Sequence, residues 1–219
     1  MIFDTLTFLA MAGELIKMYP DNPKTTKISH IVDLLREGGV IIYPTDTIYG
    51  IGCDIFNAKA IEKVCRIKGL NHKKVNLSFI CYDLSDISNY VRAISRPVFK
   101  VLKKALPGPF TFIMNASSQT PKFVHTTKKT VGIRIPDNNI PRDIVRELGN
   151  PIITTSLKHQ DEIREYLTDP QEIFDRFKHD VDIMIDGGPG RNIPSTVVDC
   201  TDDSFTVLRQ GMGNIEDYL

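Results

Sequence analysis

Between Gly38 and Asp54 the chain reads GGVIIYPTDTIYGIGCD. Two glycines release a short apolar run, Val40 to Tyr43. Pro44 stops it, and Thr45, Asp46, Thr47 and Tyr49 follow at once. A plain turn needs a single Asp or Gly. Hydroxyls and a carboxylate delivered together at a strand end suit a small polar or anionic ligand. The same hand-over recurs. VGIRIP carries Arg134 inside an apolar run, and Pro151 to Thr155 ends in Thr154-Thr155-Ser156. Pro194-Ser195 precedes a strand from Thr196, and Leu208 leads into Arg209-Gln210-Gly211. Ligands of open α/β sheets sit beyond strand ends, so these groups can converge on one crevice. An arginine in an apolar strand is costly to bury without an anionic partner. In the alternative reading, Arg134 pairs with a carboxylate such as Asp199 and the threonines express β propensity. Recurrence over separate segments tips the balance to an anion-binding cleft.

Other chemistries lack their residues. There is no GxxxxGK[ST] phosphate loop and no GxSxG. Gly50-Ile51-Gly52 has no third glycine at dinucleotide spacing. His and Cys do not cluster, so no metal centre is expected. His72, in a basic loop, reads as solvent-exposed. Cys53, Cys65, Cys81 and Cys200 form no CxxC; Cys65 and Cys81 lie in apolar runs and read as reduced core residues of a cytoplasmic protein. No apolar stretch reaches the roughly 18 residues of a membrane span. The opening MIFDTLTFLAMAG lacks a basic flank and is broken by Asp4, which argues against a signal peptide; Met11 is an alternative start to Met1.

Formal net charge is zero, which gives no bulk attraction to nucleic acid or membrane. The charge is nevertheless polarised. From Lys59 to Lys104 eleven Lys or Arg face three acids, whereas from Asp161 to Asp186 nine acids face three bases. The basic segment, with Lys100, Lys103 and Lys104, offers a weak RNA-binding face; a merely solvated surface is the alternative.

The elements that must position these residues alternate. Helices are expected over the Ile28–Leu35 pattern, from Asn57 to about Lys68, over Ser95 to Leu106 and over Pro141 to Leu148. A further helix starts at Asp169-Pro170, with Asp as N-cap and Pro at the first position. Strands are expected at 40–43, 77–81, 110–114, 131–135, 151–155, 181–185, 196–199 and 205–208. Consecutive short strands among the helices predict a mixed α/β sheet with flanking helices. Without repeats or linkers, one domain is expected over 15–219, with 1–14 as an N-terminal extension.

PTDTIYGIG, the IKG after a helix, LPGPFTFI, VGIRIP, TTS, and PSTVVD followed by VLRQG resemble the YrdC/YciO family in order and spacing, from about Leu15 to Gly213. KGLNHKKVNLSFICYDLS and ITTSL look closer to its YciO branch. The resemblance implies a twisted open α/β fold with a large, positively lined central cavity. It also implies the chemistry of threonylcarbamoyl-AMP synthases. These join L-threonine, bicarbonate and ATP, releasing pyrophosphate, for threonylcarbamoyladenosine modification of tRNA. ATP would enter as substrate with Mg²⁺, with no protein-bound metal. Residue by residue, the resemblance implies that Thr45, Thr47 and Tyr49 belong to the threonine and nucleotide site. Lys68 matches the lysine of KxR and Arg134 the arginine of GxRxP, and these two are the catalytic candidates. Thr155 and Ser156 fall on TTS, Ser195 on PST, and Arg209 on the arginine that closes the site. The KxR arginine is here Leu70 and the SxN asparagine is Lys158, so Lys158 is a candidate replacement cation. The competing function is a double-stranded RNA or tRNA-binding module with a vestigial nucleotide cavity.

Overall fold

The computed structural model describes residues 12–69, 77–121, 129–157 and 166–219. Met11, Leu70, His72 and Lys158 lie outside the described residues.

In chain order the elements are β1 (Glu14–Lys17), α1 (Thr25–Arg36), β2 (Ile41–Tyr43), β3 (Gly50–Asp54), α2 (Ala58–Ile67) and β4 (Ser78–Ile80). Next come α3 (Leu84–Tyr90), α4 (Arg96–Ala105), β5 (Phe110–Asn115), β6 (Thr130–Arg134), α5 (Asn139–Leu148) and β7 (Ile152–Ser156). The chain ends with α6 (Pro170–Phe177), β8 (Ile183–Asp186), β9 (Thr196–Asp199), β10 (Thr206–Arg209) and a 3-10 turn at Ile215–Tyr218. Among the described residues ten strands form one open mixed sheet in the order β1-β8-β2-β3-β7-β4-β6-β5-β9-β10.

Local chemistry sets the helix ends. Asn57 caps α2 by accepting from Ala60 N, and Asp169 caps α6 by accepting from Glu172 N. Each such cap contributes about 1 kcal/mol. Gly149 ends α5 at φ 83°, the left-handed position that glycine adopts without a Cβ penalty.

The strands alternate, and the two sheet faces are therefore unlike. On one face Ile51, Phe79, Phe112, Ile133, Ile153 and Val198 join residues of α2, α3, α4 and α6 in a continuous apolar core. On the other face Ile41, Tyr43, Ile80, Ile152, Ile183 and Ile185 are covered by α1 and α5. That cover is partial. Along β7 and β4 the same face passes from apolar Ile152 and Ile80 to Thr154 and Ser78, which line a cavity.

Three elements had no counterpart in the sequence reading: β1, β3 and α3. β3 hides behind its glycines. A Cβ at Gly52 would strike the Ile153 carbonyl, and one at Gly50 would lie 3.2 Å from the Tyr43 ring. Glycine here admits a neighbouring strand and an aromatic ring, although glycine in a strand usually reads as a breaker.

Candidate functional site

The uncovered part of the second face is the floor of a cavity of about 620 Å³. Period-two alternation builds it. β5 presents Thr111 and Ile113; β6 presents Thr130, Gly132 and Arg134; β7 presents Thr154 and Ser156; β9 presents Val197 and Asp199. Between them Phe112, Val131, Ile133 and Val198 face the opposite core, whereas Thr155 of β7 also lines the cavity. Gly132 keeps the floor open, because a Cβ there would collide with Ser78 Oγ and crowd Thr111.

β10 supplies a rim. A bulge between Val207 and Arg209 leaves Leu208 without a partner on β9, and Leu208 and Arg209 both line the cavity. Consecutive strand residues ordinarily point to opposite faces, and a bulge is what re-aims one of them. Arg209 donates from Nη2 to the Ser195 carbonyl at 2.8 Å, and Ser195 Oγ lies 2.8 Å from Thr111 Oγ1.

Arg134 is 7% exposed. Its Nη2 donates to Asp46 Oδ1 at 3.1 Å and to Thr47 Oγ1 at 3.0 Å. The carboxylate partner is therefore Asp46 from the β2–β3 loop, in place of Asp199, which instead accepts from Thr201 N. Burial lowers the Arg134 pKa, with Asp46 opposing, and raises that of Asp46, with Arg134 opposing. The Asp137 backbone amide also supports the Asp46 carboxylate, yet among the described residues Arg134 Nε and Asp46 Oδ2 are buried without hydrogen-bond partners.

The hydroxyls after β2 divide their work. Thr45 Oγ1 donates to the Ile48 carbonyl at 2.7 Å and accepts from Thr47 N at 3.0 Å, so it shapes the loop. Thr45 and Asp46 line a second cavity of about 340 Å³, bounded also by Asn138 and the Gly187–Arg191 loop. Tyr49 lines the first cavity while its hydroxyl donates to the Gly188 carbonyl at 2.7 Å and accepts from Gly187 N at 3.1 Å. Burial pushes the Tyr49 phenol up to about 12, so it stays a donor. The wall between the cavities is thus made of Tyr49 and the Arg134–Asp46 pair.

Of the residues singled out in the sequence, Tyr49, Arg134, Thr155, Ser156, Ser195 and Arg209 meet in one cavity. Thr47 reaches it through Arg134, and Thr45 sits behind it. Lys68 is buried at the C-terminal cap of α2 and is not among the described lining residues of either cavity. Lys100, Lys103 and Lys104 lie exposed on α4, whose inner face packs on the opposite side of the sheet. Ser78, Thr111 and Gly132 were not singled out. For Thr111 and Gly132 the signal was the alternation of small or polar with apolar residues at the start of β5 and along β6; the three-residue β4 offered none for Ser78. Among the described residues no group of three His, Cys, Asp or Glu side chains is placed to hold a metal ion, and no helix is long and apolar enough to cross a membrane. All four cysteines are buried free thiols.

A family model named for Sua5, YciO and YrdC, and described as telomere recombination, matches residues 33–211. The chain belongs to this Sua5/YciO/YrdC family. Protein YciO of Escherichia coli (strain K12) is 38% identical over 204 residues, covering 92% of this chain and 97% of that protein. The crystal structure of E. coli YciO superposes with a TM-score of 0.87 at 36% identity, over 94% of this chain and all of that one. A threonylcarbamoyl-AMP synthase of Bos taurus is 32% identical over 185 residues, 81% of this chain and 65% of that protein. P. abyssi Sua5, solved in complex with L-threonine, shares the fold with a TM-score of 0.81 at 24% identity, over 90% of this chain and 57% of that one.

Proposed function

We propose that the chain is a nucleotidyltransferase of the threonylcarbamoyl-AMP synthase type, converting L-threonine, bicarbonate and ATP into threonylcarbamoyl-AMP and pyrophosphate for tRNA modification. The observation that carries this reading is the single cavity in which two guanidinium groups, Arg134 and Arg209, stand over a floor of hydroxyls. Its volume lies within the range typical of small-molecule sites. The 32% identical bovine synthase points the same way.

The reaction needs no protein nucleophile. The threonine amine adds to bicarbonate, water leaves, and a carbamate oxygen attacks the α-phosphorus of ATP. The α–β phosphoanhydride bond breaks and pyrophosphate departs. Mg²⁺ arrives on the triphosphate as part of the substrate. The protein's share is to align the reacting atoms and to neutralise developing charge, through Arg134 and Arg209 with Ser195, Thr111 and Ser156 as hydroxyl partners. Lys68 and Lys158 join the proposed cationic set on the family resemblance alone, Lys68 standing outside the described lining of either cavity.

Titration calorimetry with ATP and L-threonine, singly and together, followed by a pyrophosphate-release assay, tests the reading. ATP should bind, bound ATP should alter threonine affinity, and release should require both with bicarbonate. An absence of ATP binding would overturn it. A second reading has its own support. Arg96, Lys100, Lys103 and Lys104 are all exposed on α4, on the face opposite the cavity. Such a row suits a phosphate backbone, and so double-stranded RNA or tRNA.

A further inference from the structure

Arg134 meets its surroundings on one edge only. Nη2 is taken by Asp46 and Thr47, whereas among the described residues Nε has no hydrogen-bond partner. Asp46 in turn gives Oδ1 to Arg134, its carboxylate is also supported by the Asp137 backbone amide, and among the described residues Oδ2 has no hydrogen-bond partner. Both side chains of this ion pair are 8% exposed. A buried pair built for stability alone satisfies its remaining donors and acceptors, because each orphan is a net loss. This one has a cavity on either side, Arg134 lining the first and Asp46 the second.

We propose that Asp46 is the positioning residue of the anion site: it holds the Arg134 guanidinium by one nitrogen and acts as its resident counter-ion until an anionic ligand enters the first cavity. This rests on the anion-site reading above. An incoming anion must share Arg134 with a carboxylate already in place, so the ligand-free cavity stays neutral at its deepest cation and anion affinity is held down. Thr47 stays bonded to the same nitrogen and preserves the orientation while the charge partner changes.

Protonation of Asp46 should mimic that exchange. Burial raises its carboxyl above the ordinary aspartate range, so it takes up a proton earlier on acidification than an exposed aspartate does. Arg134 keeps its charge throughout, since arginine stays protonated across the accessible range. The other groups facing the pair are Asp137 after β6, Tyr43 on β2 and Arg209 on β10. Tyr43 is buried and pushed upward, and so stays neutral. Anion affinity should therefore rise as pH falls through the Asp46 titration.

Sulfate is the probe, because its charge does not change between about pH 8 and about pH 4.5. Its affinity is measured by calorimetry on the full chain at fixed ionic strength. Wild-type affinity should increase on acidification, towards about tenfold as Asp46 becomes protonated, as expected for removing one nearby negative charge in a partly buried site. Asp46→Asn keeps an Oδ1 acceptor without the charge. It should bind sulfate tightly already at neutral pH and show a flat profile. Asp46→Ala should also be flat but weaker than Asp46→Asn, because the acceptor is gone. Asp137→Asn should keep the wild-type slope. A sloping profile in Asp46→Asn overturns the counter-ion role, and equal affinity in Asp46→Asn and Asp46→Ala overturns the positioning role. The Arg134→Gln/Asp46→Asn double variant, neutral and similar in shape, isolates the underlying reading. If it binds sulfate as the wild type does, the anion site itself is misplaced.

Discussion

Arg134 and Asp46 leave water together, and the fold tolerates each only because of the other. Removing one partner strands the other's charge in the interior, a loss of about 3–5 kcal/mol in comparable pairs. Arg134→Ala should therefore cost that much stability in urea denaturation, well beyond the loss of a few contacts. The Arg134→Ala/Asp46→Ala double variant should be less damaged than Arg134→Ala alone, since no lone charge remains. If the double variant loses the sum of the two single losses, the residues are energetically independent and the ion pair is incidental. Ligand affinity of Arg134 variants is best read against this background, in variants shown to be folded.

The floor of the cavity is a property of strands, and Gly132 is the place where it is most exposed to change. Gly132→Ala should destabilise the chain by about 1–3 kcal/mol, the usual cost of overpacking, and weaken ATP binding. Adding Ser78→Ala removes the colliding hydroxyl and should recover part of both losses. If thermal melts and calorimetry of Gly132→Ala match the wild type, the floor yields where it is drawn as tight. All helices but the short α3 were legible, because their apolar spacing and caps such as Asn57 and Asp169 are local signals. So was the gathering of Arg134, Ser156, Ser195 and Arg209, since each ends or immediately precedes a strand. β3 was not legible, because the fit of its glycines against Tyr43 and Ile153 exists only after three strands assemble. The pairing of Arg134 with Asp46 escaped for a related reason. It joins positions 88 residues apart, across a loop whose course Thr45 sets. Leu208 gave no sign of lining the cavity, since a bulge is invisible in a four-residue strand.

At the scale of the whole molecule the two sheet faces carry different tasks. One face is closed by helices whose outer surface includes the α4 cations, and the other is left partly open over the cavity. Reversing charge at Lys100, Lys103 and Lys104 should abolish any binding of double-stranded RNA while leaving ATP affinity unchanged. RNA affinity of the wild type should fall steeply between about 50 and 200 mM salt if several phosphates are contacted. A flat salt response would remove the α4 face as a nucleic-acid surface without touching the cavity. Loss of ATP binding in the charge-reversed chain would show instead that the faces are coupled.

Among the described residues the Gly187 amide has the Tyr49 hydroxyl as its one hydrogen-bond partner, and the Tyr49 ring is part of the cavity wall. That amide can exchange its proton with solvent only when the tyrosine lets go, so its exchange rate is a clock on the movement of the wall. A ligand that pins the ring should slow deuterium uptake at Gly187, although Gly187 is not among the residues lining the first cavity. Tyr49→Phe should speed uptake there and make it indifferent to ligand. Hydrogen exchange at this glycine would report occupancy of the cavity before any reaction has been identified.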